Sequence, residues 1–132
     1  MTDDTPLPTK LGIKEGHRVA LLGAPAGFRR TLGRLPHGVE LTDAARRTVD
    51  VAILFVAKGT DLSRRFPVAS RHVETAGGLW VAWPKKASEV NTDLSFDIVQ
   101  RTGLDAGLVD NKSCSVDGTW QALRFVVRLG DR

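Results

Sequence analysis

The chain has 132 residues, 42% of them hydrophobic and 26% charged, with a formal net charge of +4 and a pI near 9.7. That length predicts one domain, 1–132, able to bury a core, and the composition is that of an ordinary water-soluble globular protein. The longest apolar run, Val51 to Ala57, is too short to cross a bilayer, so no membrane partner is expected.

The opening residues, MTDDTPLPTK, are polar and acidic, without signal-peptide character. Residues 1–11 read as a loosely ordered lead-in. Cys114 is the one cysteine, which rules out an intrachain disulfide and suits a reducing, cytoplasmic setting. The basic residues are scattered pairs (Arg29-Arg30, Arg46-Arg47, Arg64-Arg65, Lys85-Lys86) rather than a block, and tyrosine is absent. Without a row of stacking aromatics, nucleic acid is a disfavoured partner.

The first strand is expected at Arg18–Leu22, broken by Gly23-Ala-Pro-Ala-Gly27. Pro25 suits the first position of a helix, whose inner face would carry Phe28, Leu32 and Leu35 at i, i+4, i+7. Pro36-His37-Gly38 would end it. Val39–Leu41 reads as a short strand and Thr42–Thr48 as a loop or single helical turn.

Val49–Ala57 is the strongest strand. An unbroken β-branched and apolar run is covered on both faces, which places it centrally in a largely parallel sheet. Thr60 can cap the following helix, with Asp61 in its first turn. Leu62, Phe66, Ala69 and Val73 mark its buried face, and Pro67 predicts a kink or two abutting helices. Gly77-Gly78 would end it through a left-handed cap. Leu79–Trp83 is again a buried strand.

Thr92 or Asp93 then caps a helix with Leu94, Ile98 and Val99 facing inward, ended by Gly103. Gly107–Val116 is a strand, Asp117-Gly118 a turn, and Trp120–Leu129 a last strand. Its alternation of Leu123, Phe125, Val127 and Leu129 with half-polar neighbours suits an antiparallel strand near an edge. Strands alternating with helices imply right-handed crossovers. The expected fold class is therefore α/β: a Rossmann-like, doubly wound, mostly parallel sheet with an antiparallel carboxyl-terminal strand and helices on both faces.

Glycines before a late strand and a closing hairpin give this pattern the look of a class I methyltransferase domain, shortened by loss of the usual third strand. That resemblance implies a cofactor loop at Gly23–Gly27 and an acidic residue after the second strand, Glu40 or Asp43, to hold ribose hydroxyls. Pro25 departs from the pattern, because it removes an N–H and fixes φ within the loop. The segments HRVALLGAPAGF, DVAILFV, GGLWVAWPKKAS and VDGTWQALRFVVR also resemble a domain-of-unknown-function family of small bacterial proteins, over Leu11 to Arg128. That family implies no activity, so no catalytic residue is carried over.

Three histidines, 17, 37 and 72, lack metal-site spacing. Cys114 reads as a small buried hydrophobe, and the serines lack a nucleophile-elbow context. The remaining signal is Trp83-Pro84-Lys85-Lys86-Ala87-Ser88. In an open α/β sheet, ligands bind beyond the carboxyl ends of the strands. Lys85, Lys86 and Ser88 would there face Gly23, Ala26 and Gly27, whose helix amino terminus can receive an anion, with Trp120 as a wall. The sequence identifies no cofactor. The expected function is a non-catalytic binding or regulatory module with a cleft for a small anionic ligand. The alternatives are an S-adenosylmethionine- or nucleotide-dependent transferase with a degenerate loop, and a homodimeric interaction module.

Overall fold

A computed structural model describes residues 5–44 and 46–131. Six strands, β1 (Arg18–Leu22), β2 (Glu40–Thr42), β3 (Val49–Phe55), β4 (Val73–Pro84), β5 (Leu108–Ser115) and β6 (Trp120–Val127), form one sheet in the order β2-β1-β3-β4-β6-β5. The first four in that order are parallel neighbours, and β6 runs antiparallel to both β4 and β5. Helices α1 (Leu7–Lys10), α2 (Phe28–Leu32), α3 (Gly59–Arg71) and α4 (Phe96–Asp105) cover the two faces. The doubly wound sheet expected from the sequence is the one observed. Between β2 and β3 the described residues form neither strand nor helix.

The run at 49–57 behaves as its composition demands. Val51, Ile53 and Phe55 face one core with Phe28, Leu32 and Trp80, while Ala52, Leu54 and Val56 face the other with Leu62, Phe66 and Val99. Ile53, Phe55, Leu79, Val81 and Phe125 are all buried. Trp80 is fully enclosed, and its indole N–H donates to the Leu11 carbonyl at 2.9 Å. That bond corrects the reading of the lead-in. Residues 7–11 are a helical turn packed on the sheet, with Leu11 buried; residues 1–4 lie outside the described residues.

Other boundaries move for identifiable reasons. Helix α2 starts at Phe28 rather than Pro25 and stops at Gly33, whose φ of +79° ends it before Pro36. Leu35 therefore packs on the core from a loop. Helix α3 is one helix through Pro67, not two. The carbonyl deprived of its donor belongs to exposed Ser63, where water can reach it. Thr60 is not its cap: the Asp93 carboxylate accepts the Gly59 N–H at 2.8 Å. Thr92 donates its hydroxyl to the Ala57 carbonyl at 2.6 Å. Thr92 and Asp93 thus hold the start of α3, and Ser95 caps α4 by accepting from the Ile98 N–H.

Ile98 is 46% exposed, not inward-facing. Gly103 lies inside α4, where a β-carbon would collide with the Phe125 ring. The glycine is there for close approach, not to stop the helix. Gly77 and Gly78 do not cap α3, which ends at Arg71; they lie within β4. Strand β6 is antiparallel and lies next to the edge strand, as its alternation predicts. β5 pairs along its other side, and Ala122, Leu123, Phe125 and Val126 are buried on its two faces.

Candidate ligand site

From β1 the chain crosses one face of the sheet to reach β2, and from β3 it crosses the other, through α3, to reach β4. The winding therefore reverses between β1 and β3, and the carboxyl ends of these two strands diverge into a crevice. Gly23, the residue after β1, lies in this crevice with a φ of +70°, a conformation that a side chain disfavours. A β-carbon on Gly23 would fall 2.8 Å from Arg65 Nη1 and 3.1 Å from the Phe55 carbonyl oxygen.

The Arg65 guanidinium thus reaches from α3 over the turn after β1. Arg65 is a partly buried residue, and among the described residues its guanidinium has no hydrogen-bond or ion-pair partner. Its neighbour Arg64 points away and pairs with Asp61 at 3.1 Å. In the sequence the two arginines stand out only as one of the scattered basic pairs. A signal was nevertheless present: at 100° per residue, Arg65 lies about 40° from Ala69 at the border of the buried stripe, and Arg64 lies on the opposite side.

The sequence-predicted residues divide between two places. Gly23, Ala26 and Gly27 share the turn after β1, whose outer side borders a shallow cavity of about 380 Å³ lined by Pro25, Phe28, Arg29 and Asp43. Helix α2, five residues long and preceded by Gly27 at φ +80°, is too short for a helix-dipole anion site. Asp43 directly follows β2 and pairs with Arg29 at 3.0 Å, both side chains being largely exposed. Glu40 lies at the opposite end of β2 and pairs with Arg18.

Lys85 turns toward the β5–β6 hairpin. Its amino group donates to Ser115 Oγ at 2.6 Å and to the Asp117 carbonyl at 2.7 Å. Its own N–H bonds the Thr119 carbonyl at 2.8 Å, so Lys85 straps the end of β4 to the hairpin. Ser88 donates to the Lys85 carbonyl and shapes the 3-10 turn at 86–88. Lys86 is exposed at that turn, without an ion pair among the described residues. Trp120 stacks edgewise on Phe55 at 5.2 Å, and Phe55 likewise on Phe28 at 4.7 Å, making an aromatic row beneath the crevice.

Other chemistry is sparse. Among the described residues no group of His, Cys, Asp and Glu could hold a metal, and no helix is long and apolar enough to cross a membrane. Cys114 is half-buried; burial pushes its thiol pKa up, against an opposing pull from Lys10 and Lys112.

No family model and no curated protein matches the chain, so the resemblance to small bacterial proteins stands on the quoted segments alone. Solved structures do match. The PH0226 protein of Pyrococcus horikoshii superposes with a TM-score of 0.61 at 12% identity, over 92% of this chain and 86% of that one. Precorrin-6y C5,15-methyltransferase from Geobacter metallireducens gives 0.59 at 10% identity, over 92% and 86%. Magnesium protoporphyrin IX methyltransferase from Synechocystis, with bound S-adenosylhomocysteine, gives 0.57 at 10% identity, over 86% and 75%. At these identities the likeness is one of fold: the scaffold is methyltransferase-like.

Proposed function

We propose that the protein is a small-molecule-binding module on the methyltransferase-like scaffold, with an anionic group of the ligand received by Arg65 in the crevice between β1 and β3. The observation that carries this reading is the guanidinium of the partly buried Arg65 over Gly23, which has no hydrogen-bond or ion-pair partner among the described residues. A cation partly withdrawn from water without a counter-charge loses solvation that an anion would restore. Its planar fork suits a carboxylate or a phosphate. Lys86, on the same edge of the sheet, is the member of the lysine pair left available to a ligand, since Lys85 is engaged by the hairpin.

A second reading, S-adenosylmethionine-dependent transfer, is favoured by Asp43. This carboxylate follows β2 and borders the same cavity as the turn after β1, where it can accept hydrogen bonds from a ribose diol once Arg29 yields. Both readings predict a ligand that carries an anionic group. They differ in whether an adenosyl group is required.

The test is a titration of S-adenosylmethionine, S-adenosylhomocysteine, nucleotides and coenzyme A, followed by the Gly23 and Gly27 amide resonances and by thermal melting. A ligand at 100 times its Kd stabilises the fold by about 2.7 kcal/mol, several degrees for a domain of this size. Arg65→Gln is expected to abolish the response at Gly23. A response confined to adenosyl compounds and lost in Asp43→Asn favours the transferase. Equal responses at Gly23 in the wild type and Arg65→Gln overturn the site.

A further inference from the structure

We infer that the opposite, amino edge of the sheet carries a second anion site, built for a compact phosphorylated small molecule. A cavity of about 370 Å³ opens there, on the face away from α3 and α4. Its floor is Val51, Ala76 and Gly77, where β4 offers almost no side chain. The segment leading into β1 contributes Lys10, Lys14 and His17, and the hairpin contributes Lys112 and Arg124. Four basic side chains thus converge from two parts of the chain, against two carboxylates among the described residues, Asp50 and Glu74. One Asp50 oxygen is already held by the Arg18 N–H at 2.8 Å.

The register sharpens the case. Lys112 and Arg124 are direct cross-strand partners, and Arg124 is in turn paired with Trp80 in β4. Basic side chains directly opposite one another on one face can present their donors to a single anion. Arg124 lies across Gly78, where a β-carbon would collide with its guanidinium. The missing side chain is what admits the cation to the floor. Lys14 and Lys112 are exposed and have no ion pair among the described residues. His17 Nδ1 accepts the Lys14 N–H at 3.1 Å, which leaves Nε2 as the ring's donor.

The lining also sets the ligand class. The volume is at the small end of ligand pockets, and among the described residues Val51 is the one bulky apolar residue in it and no Phe, Tyr or Trp lines it. A base would find only the His17 imidazole to stack on, whereas phosphoryl oxygens would find donors on two sides.

Pyrophosphate and inorganic phosphate, titrated into ¹⁵N-labelled protein at constant ionic strength, test the site through the Gly12 and Gly77 amides. Saturable shifts there are expected, stronger for pyrophosphate. They should survive in Arg65→Gln and weaken at least tenfold in Lys14→Gln/Lys112→Gln. Both lysines are exposed, and an unchanged melting point verifies the fold of the double variant. Shifts of equal affinity in the double variant, or no saturable shift at Gly12 and Gly77, overturn the proposal. So does a short single-stranded oligonucleotide that binds the same residues more tightly than pyrophosphate, since that would mark a nucleic-acid surface.

Discussion

At each end of the sheet an arginine lies over a glycine, and the two arrangements differ in what the glycine supplies. At the carboxyl end Gly23 gives both a φ of +70° and room for Arg65. At the amino end Gly78 has no positive φ and gives room alone, for Arg124. Gly77 beside it faces backbone rather than side chain, because a β-carbon there would collide with the Asp50 carbonyl oxygen of β3. A glycine in a sequence therefore poses two separate questions, one of torsion and one of space. The Gly23 turn is a torsional site that also holds a cation, whereas Gly77-Gly78 is purely a site of close approach.

The comparison breaks most forcefully at Gly77. In Gly77→Ala the colliding atom is main chain within a parallel pair, and it cannot rotate aside. Overpacking of this kind costs about 1–3 kcal/mol, occasionally more, and the upper end, about 3 kcal/mol, is expected here by urea denaturation. A loss below about 0.5 kcal/mol, the range of surface substitutions, would mean that β3 and β4 are farther apart than described. Gly23→Ala should cost less, roughly 1–2 kcal/mol for a side chain in left-handed backbone. It should also displace Arg65 and so remove the ligand response at the carboxyl edge. Full retention of that response in a stable Gly23→Ala variant would separate the anion site from the turn.

The same contrast explains what could be read from the sequence. The strands were legible wherever burial on both faces wrote an unbroken apolar run, as at 49–57, and their alternation with helices gave the doubly wound class. Gly77-Gly78 was not legible, because a close approach to Asp50 and Arg124 arises from pairing with distant strands, while a glycine pair after a helical pattern looks locally like a cap. Thr92 and Asp93 misled similarly. They are good capping residues, but the helix end they serve begins 34 residues earlier, at Gly59. Of the candidate site, the turn at Gly23–Gly27 was found through its glycines. Arg65 was missed because a cation on a helix is ordinarily solvated; its place at the border of the buried stripe was readable, but its reach over the turn comes from the topology.

Lys85 sharpens the distinction between a cation that serves the fold and one available to a ligand. Its two short bonds to Ser115 and Asp117 hold the hairpin turn, which Asp117 also stabilises by accepting the Thr119 and Trp120 N–H groups at 2.8 Å. Lys85→Met should cost about 1 kcal/mol, the discounted worth of charged hydrogen bonds at a partly exposed position. It should leave anion binding at Gly23 unaltered. A lost response at Gly23 with unchanged stability would reverse these roles and make Lys85 the ligand's cation.

The smallest effect reads the amino edge through Cys114. Burial raises its thiol pKa, and the positive charges of Lys10 and Lys112 pull the other way. A raised pKa in the folded chain means that the native state keeps its proton where the unfolded state has lost it. The contribution to stability is complete below the ordinary thiol value of about 8.5 and is lost as pH rises through the folded value. The wild type should therefore lose stability relative to Cys114→Ala as the pH increases from neutral to mildly alkaline, in denaturation curves recorded side by side. Alkylation of the native thiol should likewise rise with pH later than that of a free thiol, since the thiolate is the reacting form. Lys112→Gln removes one of the opposing charges, so it should delay alkylation further. Bound pyrophosphate, by neutralising the same lysine, should act in the same direction. An alkylation profile that Lys112→Gln leaves in place would show that the thiol does not sense the charge at that edge.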